Sequence, residues 1–220
     1  MTRVELEYGP VGEWYFEHPQ PLGVPYGFDD YRRLLALVQS IAEVLEQQQL
    51  LFAQIVRFHH PAWAPHDLDR PIPEGTGAPH LAHTCEVLLA EARPGPFRLP
   101  AVTDVIGNGL IMDPSRGPQR FPDVMRVSAT MYGNLAVNLT TQLDAWMEYT
   151  IDARAQPEVH SLNAPRLEAA LVEIQRRTGI APVTEATRFA VPEQTGLRNQ
   201  RYDDGQPVDC SILLTHPDPG

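Results

Sequence analysis

Polar and apolar residues alternate most clearly over 124–139. Met125, Val127, Ala129 and Met131 interleave with Arg126, Ser128 and Thr130, and Leu135, Val137 and Leu139 resume the alternation after Tyr132-Gly133-Asn134. A period of two bounded by a turn predicts a β-hairpin, and residues 145–150 can add a third strand to make a meander. Near the start, Val4, Leu6 and Tyr8 alternate with Glu5 and Glu7, which predicts a half-buried first strand closed by Gly9-Pro10. A loop rich in proline, glycine and aromatics then leads to a helix. With Asp29 or Asp30 as N-cap, the run to about Gln48 places Leu34, Val38, Ile41 and Leu45 on one face. Residues 50–58 are almost continuously apolar, as in a central strand buried on both faces.

The second helix is expected to start at Asn163 as N-cap, with Pro165 in its first turn. It would bury Leu167, Ala170, Leu171 and Ile174 and stop at Gly179. Between these elements the pattern is weaker. Pro61, Pro65, Pro71 and Pro73 argue against regular structure around them. Residues 78–92 suit a helix or a strand, and 97–106 look extended. Gly107-Asn108-Gly109 reads as a turn, because it lacks the third glycine and following helix of a dinucleotide site. Residues 182–220 read as a tail packed over the sheet. Together these predict one α+β domain with a mainly antiparallel sheet packed by two principal helices, and a possible sub-lobe break near 114–122.

Composition narrows the chemistry. None of the 17 basic residues is lysine, which excludes the P-loop, the protein-kinase lysine and any Schiff-base mechanism. A GC-rich coding bias would account for this and for the 22 prolines, and selection against lysine is the alternative. The formal charge of −11 repels nucleic acid and anionic membranes and steers encounter with a basic protein. Cys85 and Cys210 are expected as reduced thiols. Without a visible signal peptide or an apolar membrane span, the expected location is the cytoplasm. That makes the Asn138-Leu139-Thr140 glycosylation pattern accidental. Only five serines occur, none in a nucleophile elbow.

Two clusters remain. His59, His60, His66, His80 and His83 lie close in sequence, with Asp67, Asp69, Glu74, Cys85 and Glu86 among them. Imidazole and carboxylate are ligand types of Zn and Fe, so these residues could serve a metal-dependent hydrolase or oxygenase, although no established metal signature is present. The other cluster is acidic. Asp144, Glu148, Asp152 and Glu158 are interleaved with Trp146 and Tyr149, and Asp203 and Asp204 follow Tyr202. Carboxylates with rigid aromatics suit a protein interface.

The segments Ala145-Trp146-Met147, 156–167, Pro192-Glu193-Gln194-Thr195-Gly196 and Asp203-Asp204-Gly205 resemble small bacterial cytosolic proteins, some of them similar to immunity proteins of polymorphic toxin systems. The resemblance implies a binding protein. The leading expectation is therefore an acidic protein that occludes the active site of a basic toxin. Its partner-binding residues would be Trp146, Glu148, Tyr149, Asp152, Glu158, Tyr202, Asp203 and Asp204, with no nucleic-acid or membrane partner.

Overall fold

The alternating stretches are realised as two paired strands, Arg126–Thr130 and Leu135–Thr141, of a larger sheet. The computed structural model describes residues 1–4, 8–18, 27–59, 68–73, 76–91, 102–131 and 135–215. Its elements in chain order are β1 (Gly12–His18), α1 (Phe28–Gln47), β2 (Phe52–His59), β3 (Leu68–Pro71), α2 (Gly77–Glu91), β4 (Val102–Asp113), β5 (Gly117–Pro122), β6 (Arg126–Thr130), β7 (Leu135–Thr141), α3 (Pro157–Thr178), β8 (Val183–Thr184), β9 (Ala190–Glu193) and β10 (Gly196–Asn199). A 3-10 turn spans Ser211–Thr215. Eight strands form one sheet in the order β3-β2-β4-β6-β7-β1-β8, with β5 on the far half of β4; β9 and β10 make a separate hairpin. Every pairing among the described strands is antiparallel. The fold is α+β, as the sequence predicts, with a third helix, α2, beside the two expected.

Strand periodicity sorts the two faces of the sheet. Register aligns Phe16, Val137, Ala129, Thr103 and Phe58 in one buried row. Helix α1 lies over it: Tyr31 meets Phe58 edge-on at 6.1 Å and shares a hydrogen bond with Thr103 Oγ1 at 2.5 Å. The next row out, Tyr15, Asn138, Ser128, Asp104 and Arg57, is polar and only partly buried. Helix α1 begins at Gly27, where the Asp30 carboxylate accepts the Gly27 N–H at 2.9 Å. Asp29 and Asp30 therefore occupy the first turn, where the helix dipole favours negative charge, and are not the N-cap.

Several expectations are corrected. Residues 145–150 are not the third strand of the meander. The free edge of β7 is taken by β1, with Trp14 opposite Leu139 and Phe16 opposite Val137. Of the expected 4–8 strand, Val4 donates to Gln142 O and Arg3 bridges Leu143, while residues 5–7 lie outside the described set. Strand β2 buries Val56 and Phe58 fully but leaves Ile55 half-buried, so it is not covered on both faces. Despite Pro71, residues 68–71 form β3, an edge strand where a missing N–H is tolerated; residues 60–67 lie outside the described set. Gly107-Asn108-Gly109 is the middle of β4, not a turn. A Cβ on Gly107 would meet Phe52 O at 2.0 Å and one on Gly109 would meet Leu50 O at 2.2 Å; these glycines admit a crossing backbone. The 182–215 segment is ordered as β8, the β9–β10 hairpin and the 3-10 turn.

Helix α3 starts six residues before its expected cap. Gln156 is the N-cap and Pro157 the first helical residue, where a missing N–H is harmless. Pro165 thus lies inside the helix and leaves the carbonyl of the exposed Ser161 to solvent. Gly179, left-handed at φ 70°, ends the helix and donates to Gln175 O, as the sequence predicts.

Candidate functional site

After β7 the chain runs through residues 142–156 without regular structure, yet much of that segment is buried. Buried irregular backbone needs partners for its polar groups, and side chains provide them. Asp144 accepts from Thr2 N–H at 2.5 Å and from Ile151 N–H at 3.0 Å. Gln156 donates to the carbonyls of Asp144 and Met147. The Asn199 amide binds both Tyr149 N–H and Tyr149 C=O, at 3.0 and 2.8 Å, as a neighbouring strand would. The segment is thereby fixed against β10 and the start of α3.

These supports gather several of the acidic and aromatic residues singled out in the sequence. Arg201 links them. Its Nη2 donates to Glu148 Oε2 at 2.8 Å, its guanidinium lies 5.7 Å over the Tyr149 ring, and its Nη1 donates to Gly205 O. Glu148 and Tyr149 are thus brought beside the exposed turn carrying Tyr202, Asp203 and Asp204. Tyr202 is 57% exposed. Asp152 is close enough to Asp209 to feel its charge, and Cys210 N–H donates to Ile151 O. Glu158 is exposed in the first turn of α3.

Trp146 departs from its expected place. It is fully buried and donates its Nε1–H to Thr141 Oγ1 at 3.0 Å. Its ring fixes the irregular segment to the core and is not an exposed interface residue. Beside it lies a cleft of about 400 Å³ bounded by α3, the β9–β10 hairpin and the irregular segment. His160, Ala164, Leu167 and Glu168 line the helical wall, and Glu193, Leu197, Arg198 and Arg201 line the other. Arg198 pairs with Glu193 at 2.8 Å in the open.

Two carboxylates here, Asp152 and Asp209, stay ionised to lower pH than an ordinary aspartate. A hydrogen bond from Thr150, reinforced by Arg154, holds the Asp152 carboxyl below its ordinary range. Bonds from Ser211 do the same for Asp209. Asp144 behaves oppositely, because burial pushes its pKa up against its two N–H donors.

The histidine cluster is only partly described. His59 ends β2, while His80 and His83 lie one turn apart on α2 with ring centroids 5.8 Å apart. His60 and His66 lie outside the described residues. Among the described residues no three or more His, Cys, Asp or Glu side chains are grouped to hold an ion. Cys85 is buried, and that burial pushes its thiol up to about 12.

No protein family, curated protein or solved structure matches this chain.

Sequence reasoning missed Arg201, Arg198, Glu193, Asn199, His160 and Glu168. For the hairpin residues a signal existed: two short strands flank Gln194-Thr195, the spacing of a tight β-hairpin. For Arg201 there was none, since its partners Glu148 and Tyr149 lie about fifty residues earlier.

Proposed function

We propose that this protein is a cytoplasmic protein-binding module that grips a basic macromolecule, with the active-site face of a toxin as the expected partner. The observation that carries the reading is that Arg201 holds Glu148 and Tyr149 beside the exposed Tyr202, Asp203 and Asp204, while Asp152 and Asp209 lie near each other on the adjoining 150–152 and 208–210 segments. Aromatics beside carboxylates suit the anchor-and-rim arrangement of protein interfaces. The net charge of −11 would speed encounter with a cationic partner. The exposed Glu148–Arg201 pair, with side chains 58% and 39% accessible, is readily exchanged because such pairs contribute little to stability. A partner arginine can take the place of Arg201 on Glu148 while Tyr149 keeps a cation over its ring.

The test is calorimetric titration of the purified protein with the products of its neighbouring genes at low and high ionic strength. The reading expects a complex that weakens with salt and loses about tenfold or more in affinity in Glu148→Arg. Absence of any complex, or one indifferent to both salt and substitution, overturns it.

A further inference from the structure

Helix α3 carries two apolar stripes where a surface helix needs one. The first, around Leu167, Ala170, Leu171 and Ile174, is buried. The second comprises Leu162, Pro165, Ala169 and Val172, all exposed, with Leu162 and Val172 at 43% and 48%. At 3.6 residues per turn these four fall within an arc of about 80°, centred about 160° from the buried stripe. Burial in the monomer gives no reason for the second stripe.

Its ends carry opposite charges. Glu158 and Arg176 project on the midline of the same arc, one turn beyond Leu162 and Val172 respectively. Among the described residues Glu158 has no basic partner and Arg176 is bound only to Glu173 on its own helix, at 2.6 Å. Glu173 is also held by Arg177 at 2.7 Å, so releasing Arg176 does not strand it.

We propose that this stripe is a self-docking surface, on which α3 of a second copy packs antiparallel about a two-fold axis at the level of Leu167. That axis sets Leu162 against Val172 of the second copy, Pro165 against Ala169, and Glu158 against Arg176. Each contact occurs twice, as an isologous interface requires. Pro165 and Ala169 at the crossing lack long side chains and let the two axes approach closely. A parallel arrangement would oppose like charges at both ends, so the charge pattern selects the antiparallel one. The cleft-lining His160, Ala164 and Glu168 lie on the flank of the helix, so the dimer leaves the cleft open. Of the residues the sequence singles out for a partner only Glu158 takes part, and the proposed function does not rest on it, so the two proposals stand or fall separately.

Sedimentation velocity from low to high micromolar concentration tests the arrangement. The unaltered protein is expected to shift from monomer to dimer. Glu158→Arg and Arg176→Glu each place two like-charge contacts in the dimer and should weaken it about tenfold or more. The double variant restores opposite charges and recovers the dimer. Ala169→Arg at the crossing abolishes it. All these positions are exposed, and far-UV circular dichroism confirms that each variant is folded. A protein that stays monomeric throughout, or a double variant no better than the single ones, overturns the proposal.

Discussion

Asn163 shows what one amide does when it lies between a helix and a strand edge. Its Oδ1 accepts Met112 N–H and its Nδ2 donates to Met112 C=O, both at 2.9 Å, so it completes the edge of β4 that β2 does not reach. Arg166, one turn on, donates to the carbonyls of Leu110 and Gln48 at 2.9 and 2.7 Å. Asn163→Ala is expected to lower unfolding free energy by about 3 kcal/mol, because it leaves backbone polar groups without partners; urea titration measures it. Asn163→Asp keeps the Met112 N–H and the Arg166 contact at 3.2 Å but turns a carboxylate on the Met112 and Val159 carbonyls, so it too is expected to destabilise, by less than the alanine. In sequence, Asn163 before Ala-Pro reads as a helix cap. Its actual partner lies 51 residues away, and no local pattern carries that distance.

At the scale of elements, two kinds of glycine separate. Gly109 lies in β4 where the 50–52 backbone crosses, and a Cβ there would also meet Val124 Cβ at 2.8 Å. Gly109→Ala is therefore expected to destabilise by about 2–4 kcal/mol through displaced backbone. Gly117, at φ 71° with open space around it, is needed only for its turn, and Gly117→Ala should cost about 1 kcal/mol. Thermal unfolding of the two variants separates the mechanisms. The sequence shows the glycines but not the crossing strand. Similarly, 145–150 suits the edge of β7 and the stretch after Gly9-Pro10 reads as a loop, yet Gly12–His18 takes that edge as β1, because only the assembled sheet shows which segment arrives there. The hairpin of β6 and β7, helix α1 and the end of α3 were legible because their signals are local: alternation, an apolar face, a terminal glycine.

At the scale of the whole molecule, Asp144 couples the 142–156 segment to the backbone of Thr2 and gives stability a pH dependence. Burial raises its folded pKa above the ordinary 3.8, so between those two values the folded state binds more protons than the unfolded. Its contribution therefore declines as pH rises from about 4 through the raised value, then levels off. Asp152, Asp209 and Glu173 act with the opposite sign. Their folded pKa values are depressed, Glu173 to about 2 by its two arginines, so their stabilisation is complete above the unfolded value and lost as pH falls through the folded one. Urea unfolding across pH should show stability rising out of the acid range and then falling. In Asp144→Asn the falling limb should disappear, although the variant is weaker overall, because the amide offers one oxygen to two N–H donors.

The amino-acid sequence alone determined the class of the fold, the positions of its strongest hairpin, of helix α1 and of the end of α3, the exclusion of lysine-dependent chemistry and the acidic balance of charge. Each follows from residue type or from spacing within a few turns of chain. Only the tertiary structure decided that Trp146 is core, that Arg201 gathers Glu148 and Tyr149 beside the Tyr202 turn, and that Leu162 and Val172 stay uncovered. Those outcomes depend on which distant segment arrives at each side chain, because burial and hydrogen bonding are settled among neighbours in space.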